Sequence, residues 1–414
     1  MNVRSYSEQL PTTGSEGIMQ QVYIYDALRT PFGRLGGGLA GVRPDDLAAT
    51  VIQQLIKRHP DLDTAQIDDV VFGNANGAGE ENRNVARMAT LLAGLPPSIP
   101  GVTVNRLCGS SLDAAFHGSY SIGAGDNNLV ITGGTESMSR APYVVPKPER
   151  AYPAGNSQMA STTLGWRLVN PNMPKEWTVS LGEATEQLVE KYGVSRERQD
   201  QYAALSHQRA HAAWQAGHYD DLVVPIDDVA RDETIRPETN INTLSGLRTV
   251  FRKDKGTVTA GNASSMNDGA GVVLMGSQAA ADLLGADPLV RVVSRGAAAN
   301  EPQYFGEAPV PASNLALQRA GITWDQVGAI ELNEAFAAQV IVNLDSWGID
   351  LEDQRVNAWG GAIALGHPLG ASGSRVLGTL ARRLKAENRR WGLAALCVGV
   401  GQGVAMVVEN EDAE

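Results

Sequence analysis

Two cysteines and one histidine stand out by the residues around them. Cys108 lies in Val104-Asn-Arg-Leu-Cys108-Gly-Ser-Ser-Leu-Asp-Ala-Ala, which reads as a strand end, a tight turn and a helix start. That order puts its sulfur at a helix N-terminus, where the macrodipole favours thiolate and lowers the thiol pKa. A small buried cysteine also fits a core, but a crowded core position does not need the open Gly-Ser-Ser turn that follows. Cys397-Val-Gly399-Val-Gly401-Gln-Gly403 ends an apolar strand in alternating glycines. Its spacing matches neither a phosphate-binding loop nor a dinucleotide fingerprint. A second thiol there can serve as general acid or base, and the Gly399 N–H can donate to an oxyanion; an inert buried cysteine is the alternative. His367 sits on a stiff Gly366-His-Pro corner in a glycine-rich run from Ala358 to Gly373, which marks a close approach by something else. A cysteine paired with a histidine is the minimal activated thiol nucleophile. Asn333-Glu334-Ala-Phe336 follows an apolar strand and reads as the rim of a site. His207 and His211 have the i, i+4 spacing of a helical zinc motif, but Gln208 stands where the catalytic glutamate is needed, so no metal is expected.

The elements that must position these groups alternate along the chain. Strands are expected at 22–25, 70–72, 129–132, 272–275, 329–332 and 393–398, and helices at 44–58, 85–92, 182–190 and 197–216, the last capped by Ser195. This is an α/β pattern. A weak internal repeat runs through it: Gln66–Gly73 is echoed by Trp324–Leu332, Val104-Asn105 by Val356-Asn357, and Leu129–Gly134 by Leu393–Gly403. Two related α/β halves account for this. The stretch from 140 to 265 has no counterpart in the second half, is polar and proline-bearing, and reads as an insertion. The division expected is a loose N-terminal extension (1–20), a first half (21–139 with 266–288), the inserted loop domain (140–265) and a second half (289–414).

Composition narrows the partners. The 414 residues carry a net charge of −12, which disfavours nucleic acid and anionic membranes. With Cys108 and Cys397 as the whole cysteine complement, a disulfide framework is implausible and a reducing cytoplasmic setting is expected. The first 20 residues are polar and lack the apolar core of a signal peptide. The run 391–408 is apolar enough for a short membrane span, but its glycines and Gln402 read better as buried strands with a turn.

Taken in order, these blocks resemble the thiolase family over almost the whole chain. The matching motifs are Arg29-Thr-Pro-Phe-Gly, Gly133-Gly-Thr-Glu-Ser-Met-Ser139, Val258-Thr-Ala-Gly-Asn-Ala-Ser264, Asn333-Glu-Ala-Phe-Ala, Gly366-His-Pro and Cys397-Val-Gly, and the two cysteines fall on the family's two catalytic thiols. The resemblance implies two similar halves in a five-layer αβαβα arrangement and cleavage or formation of 3-oxoacyl-CoA thioesters by a ping-pong route. It makes Cys108 the acylated nucleophile, His367 its base, and Cys397 the acid/base at the acetyl-CoA carbon. Asn333 with His367, and the N–H groups of Cys108 and Gly399, would form two oxyanion holes. Ser264, Arg236 and Phe336 would contact coenzyme A, which is a substrate; no tightly bound cofactor is implied. Homodimers or homotetramers are the family's usual state.

Three stretches (Gly79–Met88, Gly165–Pro171 and Cys397–Gly403) resemble the β-ketoadipyl-CoA branch, with Arg167 a candidate cation for a dicarboxylic acyl chain. Against this stand Ser111, Ser265 and Phe305, which would crowd the acyl pocket, and Glu307, which would repel a carboxylate if it points inward. These departures lead to the expectation of a pocket unlike either the acetoacetyl-CoA or the β-ketoadipyl-CoA type. Two other readings remain open. A ketoacyl-synthase-type condensing enzyme would want a second histidine in place of Cys397. A catalytically idle CoA- or lipid-binding relative would not need all four catalytic groups.

Overall fold

The computed structural model describes residues 19–413; most of the expected extension, 1–18, lies outside the described residues. The first half runs β1 (Val22–Arg29), β2 (Gly33–Arg34), α1 (Pro44–Arg58), β3 (Asp69–Gly73), α2 (Val85–Leu92), β4 (Gly101–Val104), α3 (Ser110–Ala124) and β5 (Leu129–Ser137). The chain then leaves the sheet through a small ribbon, β6 (Tyr143–Val144) with β7 (Ala160–Ser161), and helices α4 (Leu181–Tyr192), α5 (Arg196–Gln215) and α6 (Ile241–Ser245). It returns as β8 (Asn267–Gly276) and α7 (Ala280–Leu284). The second half comprises β9 (Val290–Ala299), α8 (Pro309–Ala320), β10 (Val327–Leu332), α9 (Ala337–Trp347), α10 (Ala362–Leu365), α11 (Ser372–Ala386), β11 (Trp391–Val398) and β12 (Gln402–Glu409).

All six expected strands form, and the helices expected at 44–58 and 85–92 coincide with α1 and α2. Local chemistry explains α1. Pro44 supplies a preset φ at the first turn, Asp45 and Asp46 face the positive end of the dipole, and Lys57 and Arg58 face the negative end. Leu47, Val51 and Leu55, four residues apart, bury one stripe. Ser195 caps α5, its hydroxyl accepting the Arg198 N–H at 3.2 Å. The apolar run 391–408 forms the antiparallel pair β11–β12, buried along both strands.

The internal repeat is visible in the sheet, whose order is β10-β11-β12-β9-β1-β8-β5-β3-β4. Outward from the β1–β9 junction, each side has the same arrangement: β1-β8-β5-β3 on one, β9-β12-β11-β10 on the other. The pairs β3–β5 and β10–β11 are parallel, and the corresponding inner pairs are antiparallel. The parallel strand β4 beside β3 is matched by a single parallel bridge between Ile330 and Val356.

Strand alternation sorts the side chains into layers. On β8, Val272 and Leu274 join the core under α1 and α2, whereas Val273 and Met275 face the opposite way. That opposite side is a central core built by Leu112 and Phe116 of α3 and Val376 and Leu380 of α11, and it also receives Leu396 and Met406 from the far sheet. Leu393 and Val407 point outward from there, to α8 and α9. The result is helix, sheet, paired central helices, sheet, helix. Helices α4 and α5 cover the second half: Leu188 and Tyr202 share one core with Ile330 and Ile341.

Candidate active site

The turn from β4 into α3 sets Cys108 in place. Leu107 takes φ 47°, a left-handed conformation that costs a non-glycine residue ~1–2 kcal/mol. Two side chains hold it there: Asn105 Oδ1 accepts the Leu107 N–H at 2.9 Å, and the Ser110 hydroxyl accepts from Arg106 N and donates to Leu107 O. Cys108 follows, buried at the mouth of α3. Burial pushes its thiol up to about 11 and the nearby Glu136 carboxylate adds to this, while the Gly399 N–H opposes it. The position expected from the sequence is correct, but the expected fall in pKa is not. Loss of hydration outweighs the helix terminus and the N–H donor, so the resting group is a neutral thiol.

Cys397 is the penultimate residue of β11 and Gly399 follows the strand, before a tight turn in which Val400 and Gly401 both have positive φ. Cys397 is buried among Ala184, Val258, Phe305 and Phe336, the two rings meeting edge-on at 6.2 Å. Its thiol is also raised well above the ordinary value, first by burial and then by the proximity of Cys108.

His367 owes its placement to a backbone that only glycine permits. Gly366 has φ 102°, and a Cβ there would lie 2.4 Å from the Asn267 side chain. That approach lets Asn267 Oδ1 accept the His367 N–H at 3.0 Å. The imidazole Nδ1 lies 2.6 Å from Ser372 Oγ, and Nε2 lies 3.5 Å from Asn333 Nδ2. The buried Arg375 donates to Asn333 Oδ1 at 3.0 Å, which turns the amide N–H toward the ring. The consistent tautomer has Nδ1–H donating to Ser372 and Nε2 free to take a proton. Burial, and next the Arg375 charge, lower the imidazole to about 3. Arg375 itself belongs to a fully buried cluster in which Glu331 meets Arg383 at 2.7 Å and Arg375 at 3.6 Å.

The two sites meet through their turns. Leu369–Ala371, just after His367, packs on Leu107–Gly109. Beneath them Glu136 Oε2 accepts the N–H groups of Ala75 and Gly370, both at 2.9 Å, joining the loop after β3 to the histidine turn. Burial raises this carboxyl to about 7. A cavity of about 330 Å³ opens at this junction, its wall including Leu107, Cys108, Leu369, Gly399, Trp166 and Arg167.

The structure therefore gathers Cys108, His367, Asn333, Cys397 and Gly399 at one locus. Ser264 is half-buried beside them, its N–H donating to Ala335 O at 3.0 Å, and Phe336 packs near Cys397. Arg236 stands apart and exposed, its N–H donating to buried His207. Asn333 and Glu334 do not form a rim. Both are fully buried, and Glu334 accepts from Tyr202, Ser206, Asn357 and Ile363.

The departures expected to crowd the pocket point elsewhere. Ser111 Oγ accepts the Ser374 N–H between the two central helices, and Ser265 donates to Asn267. Phe305 is packed behind Cys397, and Glu307 pairs with Lys191 at 2.6 Å. None is among the residues that line the cavity, and Phe305 packs in the cluster that holds Cys397. Ser372 and Arg375 carried no assignment from sequence; the only signal was that Ser372 lies in the run from Ala358 to Gly373 and Arg375 just beyond it.

Two neighbouring thiols and an imidazole with an unprotonated nitrogen are the groups that thiol-dependent acyl transfer needs, and the fold and sequence place the chain in a family. "Thiolase, N-terminal domain" matches residues 22–279 and "Thiolase, C-terminal domain" matches 286–410. The chain belongs to the thiolase family and is an acyltransferase. It is 47% identical to a β-ketoadipyl-CoA thiolase of Escherichia coli, over 95% of this chain and the whole of that one. It is 40% identical to a 3-ketoacyl-CoA thiolase of Yersinia enterocolitica, with the same coverage. Among solved structures, the Bacillus anthracis acetyl-CoA acetyltransferase superposes with a TM-score of 0.88 at 34% identity, covering 95% of this chain and 100% of that one. Human mitochondrial 3-ketoacyl-CoA thiolase in complex with CoA gives 0.88 at 34% identity, covering 95% and 98%.

Proposed function

We propose that the protein cleaves a 3-oxoacyl-CoA whose acyl chain ends in a carboxylate, of the 3-oxoadipyl-CoA type, using coenzyme A as the second substrate. The reaction rests on one observation: the buried Cys108 thiol, on the cavity wall with Gly399, lies close to the buried Cys397 thiol, and the turn after His367 packs on the turn that holds Cys108. The dicarboxylic chain is supported by the full-length identity to proteins named for that substrate.

Cys108 gives its proton to His367 Nε2 as its sulfur attacks the 3-oxo carbon. The bond between C2 and C3 breaks, and Cys397 protonates the departing acetyl-CoA enolate. Coenzyme A then enters, gives its thiol proton to the Cys397 thiolate, and attacks the acyl–Cys108 thioester. The Cys108 thiolate leaves and recovers its proton from His367. Asn333 with His367, and Gly399 with the Cys108 N–H, stand where the two oxyanions form. Ser264 and Phe336 would meet the pantetheine arm and Arg236 the nucleotide.

The division into residues 21–139 with 266–288, the insertion 140–265 and the half 289–414 is part of the same reading. So are a cytoplasmic setting and a homodimer or homotetramer. No helix among the described residues is long and apolar enough to cross a membrane. Strand β4 pairs on one side only and exposes Val102, which favours association; light scattering should give a multiple of 43.9 kDa.

The deciding experiment follows thioester absorbance with acetoacetyl-CoA or 3-oxoadipyl-CoA plus coenzyme A, beside Cys108→Ala. Cleavage of 3-oxoadipyl-CoA that vanishes in the variant is the expected result. Activity on acetoacetyl-CoA alone would sink the substrate assignment, and activity surviving in the variant would sink the mechanism.

A further inference from the structure

Arg167 is the one charged residue on the cavity wall, which it shares with Cys108 and the apolar side chains of Leu164, Trp166 and Leu181. Its guanidinium has only neutral protein partners: Nη2 donates to Asn76 Oδ1 at 3.2 Å, and Nη1 reaches Thr162 O at 3.5 Å. Asn76 is itself fixed, its Nδ2 donating to Thr162 O and Oγ1 at 3.1 and 2.9 Å, so its oxygen is presented to the arginine. Arg196 and Arg252 of the same excursion pair with Asp200 and Glu183, while Arg209 is met by the backbone carbonyls of Glu352, Asp353 and Val356. Arg167 forms no ion pair among the described residues. A guanidinium cannot discharge, and beside apolar walls its attraction for an anion is stronger than in water. Its planar fork matches a carboxylate in two parallel hydrogen bonds.

Building on the substrate class proposed above, we infer that Arg167 is the carboxylate-binding group of the acyl pocket, oriented by Asn76 and taking the far carboxylate of the chain that Cys108 carries. A phosphate of coenzyme A offers the same anionic chemistry. It is separated from the reacting sulfur by the whole pantetheine arm, whereas Arg167 and Cys108 share one cavity of about 330 Å³.

The test compares thiolysis of 3-oxoadipyl-CoA with that of 3-oxohexanoyl-CoA, which has the same chain length without the carboxylate, in wild type, Arg167→Met and Arg167→Lys. The ratio of kcat/KM between the two substrates should fall about a hundredfold in Arg167→Met and about tenfold in Arg167→Lys, mainly through KM. Near-ultraviolet circular dichroism shows that each variant is folded. Equal losses on both substrates would overturn the inference and point to a coenzyme phosphate or to support of the loop. A wild type that prefers 3-oxoadipyl-CoA, with a ratio untouched by Arg167→Met, leaves the substrate class standing and removes Arg167 from it. A wild type that prefers 3-oxohexanoyl-CoA removes the substrate class itself.

Discussion

Cys108 and His367 are both neutral at rest, for one reason: each is buried where an isolated charge is poorly solvated. Moving a proton from one to the other without a bound substrate is uphill, so in the proposed mechanism the thiolate forms as the substrate carbonyl accepts the negative charge. Alkylation of Cys108 by iodoacetamide in the free protein should therefore rise about tenfold per pH unit from pH 7 to 9. A plateau below pH 8 would show a thiolate already present. Ser372 is the positioning residue for the imidazole. Ser372→Ala should lower kcat about ten- to a hundredfold with little change in KM, by analogy with the loss of outer-shell hydrogen bonds elsewhere. Ser372→Thr, which keeps the hydroxyl, should restore most of it. A loss confined to KM would count against the orienting role.

The elements around the site are tied by buried carboxylates as well as by apolar packing. Glu136 on β5 joins the loop after β3 to the turn after His367. Its folded pKa, raised to about 7, lies above the unfolded value near ~4.3. Its contribution to stability is therefore full below pH ~4 and lost as pH rises toward 7. Urea unfolding of Glu136→Gln against wild type should show the variant gaining on wild type by about 3 kcal/mol between pH 4.5 and 7.5. A gap independent of pH would mean that Glu136 titrates normally.

The sequence revealed α1 and α2 well because α1 carries Pro44, a charge bias and an apolar stripe, and α2 carries the Asn84 cap and a buried face of Val85, Ala86 and Ala89. It did not reveal α11, which opens in Ser372-Gly-Ser, a weak helix start that two layers of packing make viable. Nor did it reveal the Glu331–Arg375–Arg383 cluster, since nothing in the local sequence marks these charges as buried until the fold turns them inward. The residues proposed to be catalytic were legible through motif order. Their pKa values were not, because burial is set by chain segments far apart in sequence.

At the scale of the whole molecule, the central helices belong to both halves at once. Leu380 of α11 is fully buried in a core that receives side chains from both arms of the sheet. Leu380→Ala should cost ~2–5 kcal/mol and lower the midpoint of a single calorimetric transition. Two separate transitions, only one of them displaced, would show that the halves melt independently. The matching arrangement of strands has a further consequence. Leu107–Gly109 leads into α3 as Leu369–Ala371 leads into α11, so the turn proposed to carry the nucleophile and the turn that follows its proposed base hold equivalent places in the two halves and pack on each other. An ancestral half that paired with its own copy would already have possessed the cleft, lined twice by identical residues. Two such loops held in one chain are free to differ, one suited to attack and the other to proton transfer, a division of labour that a strictly symmetric pair cannot make.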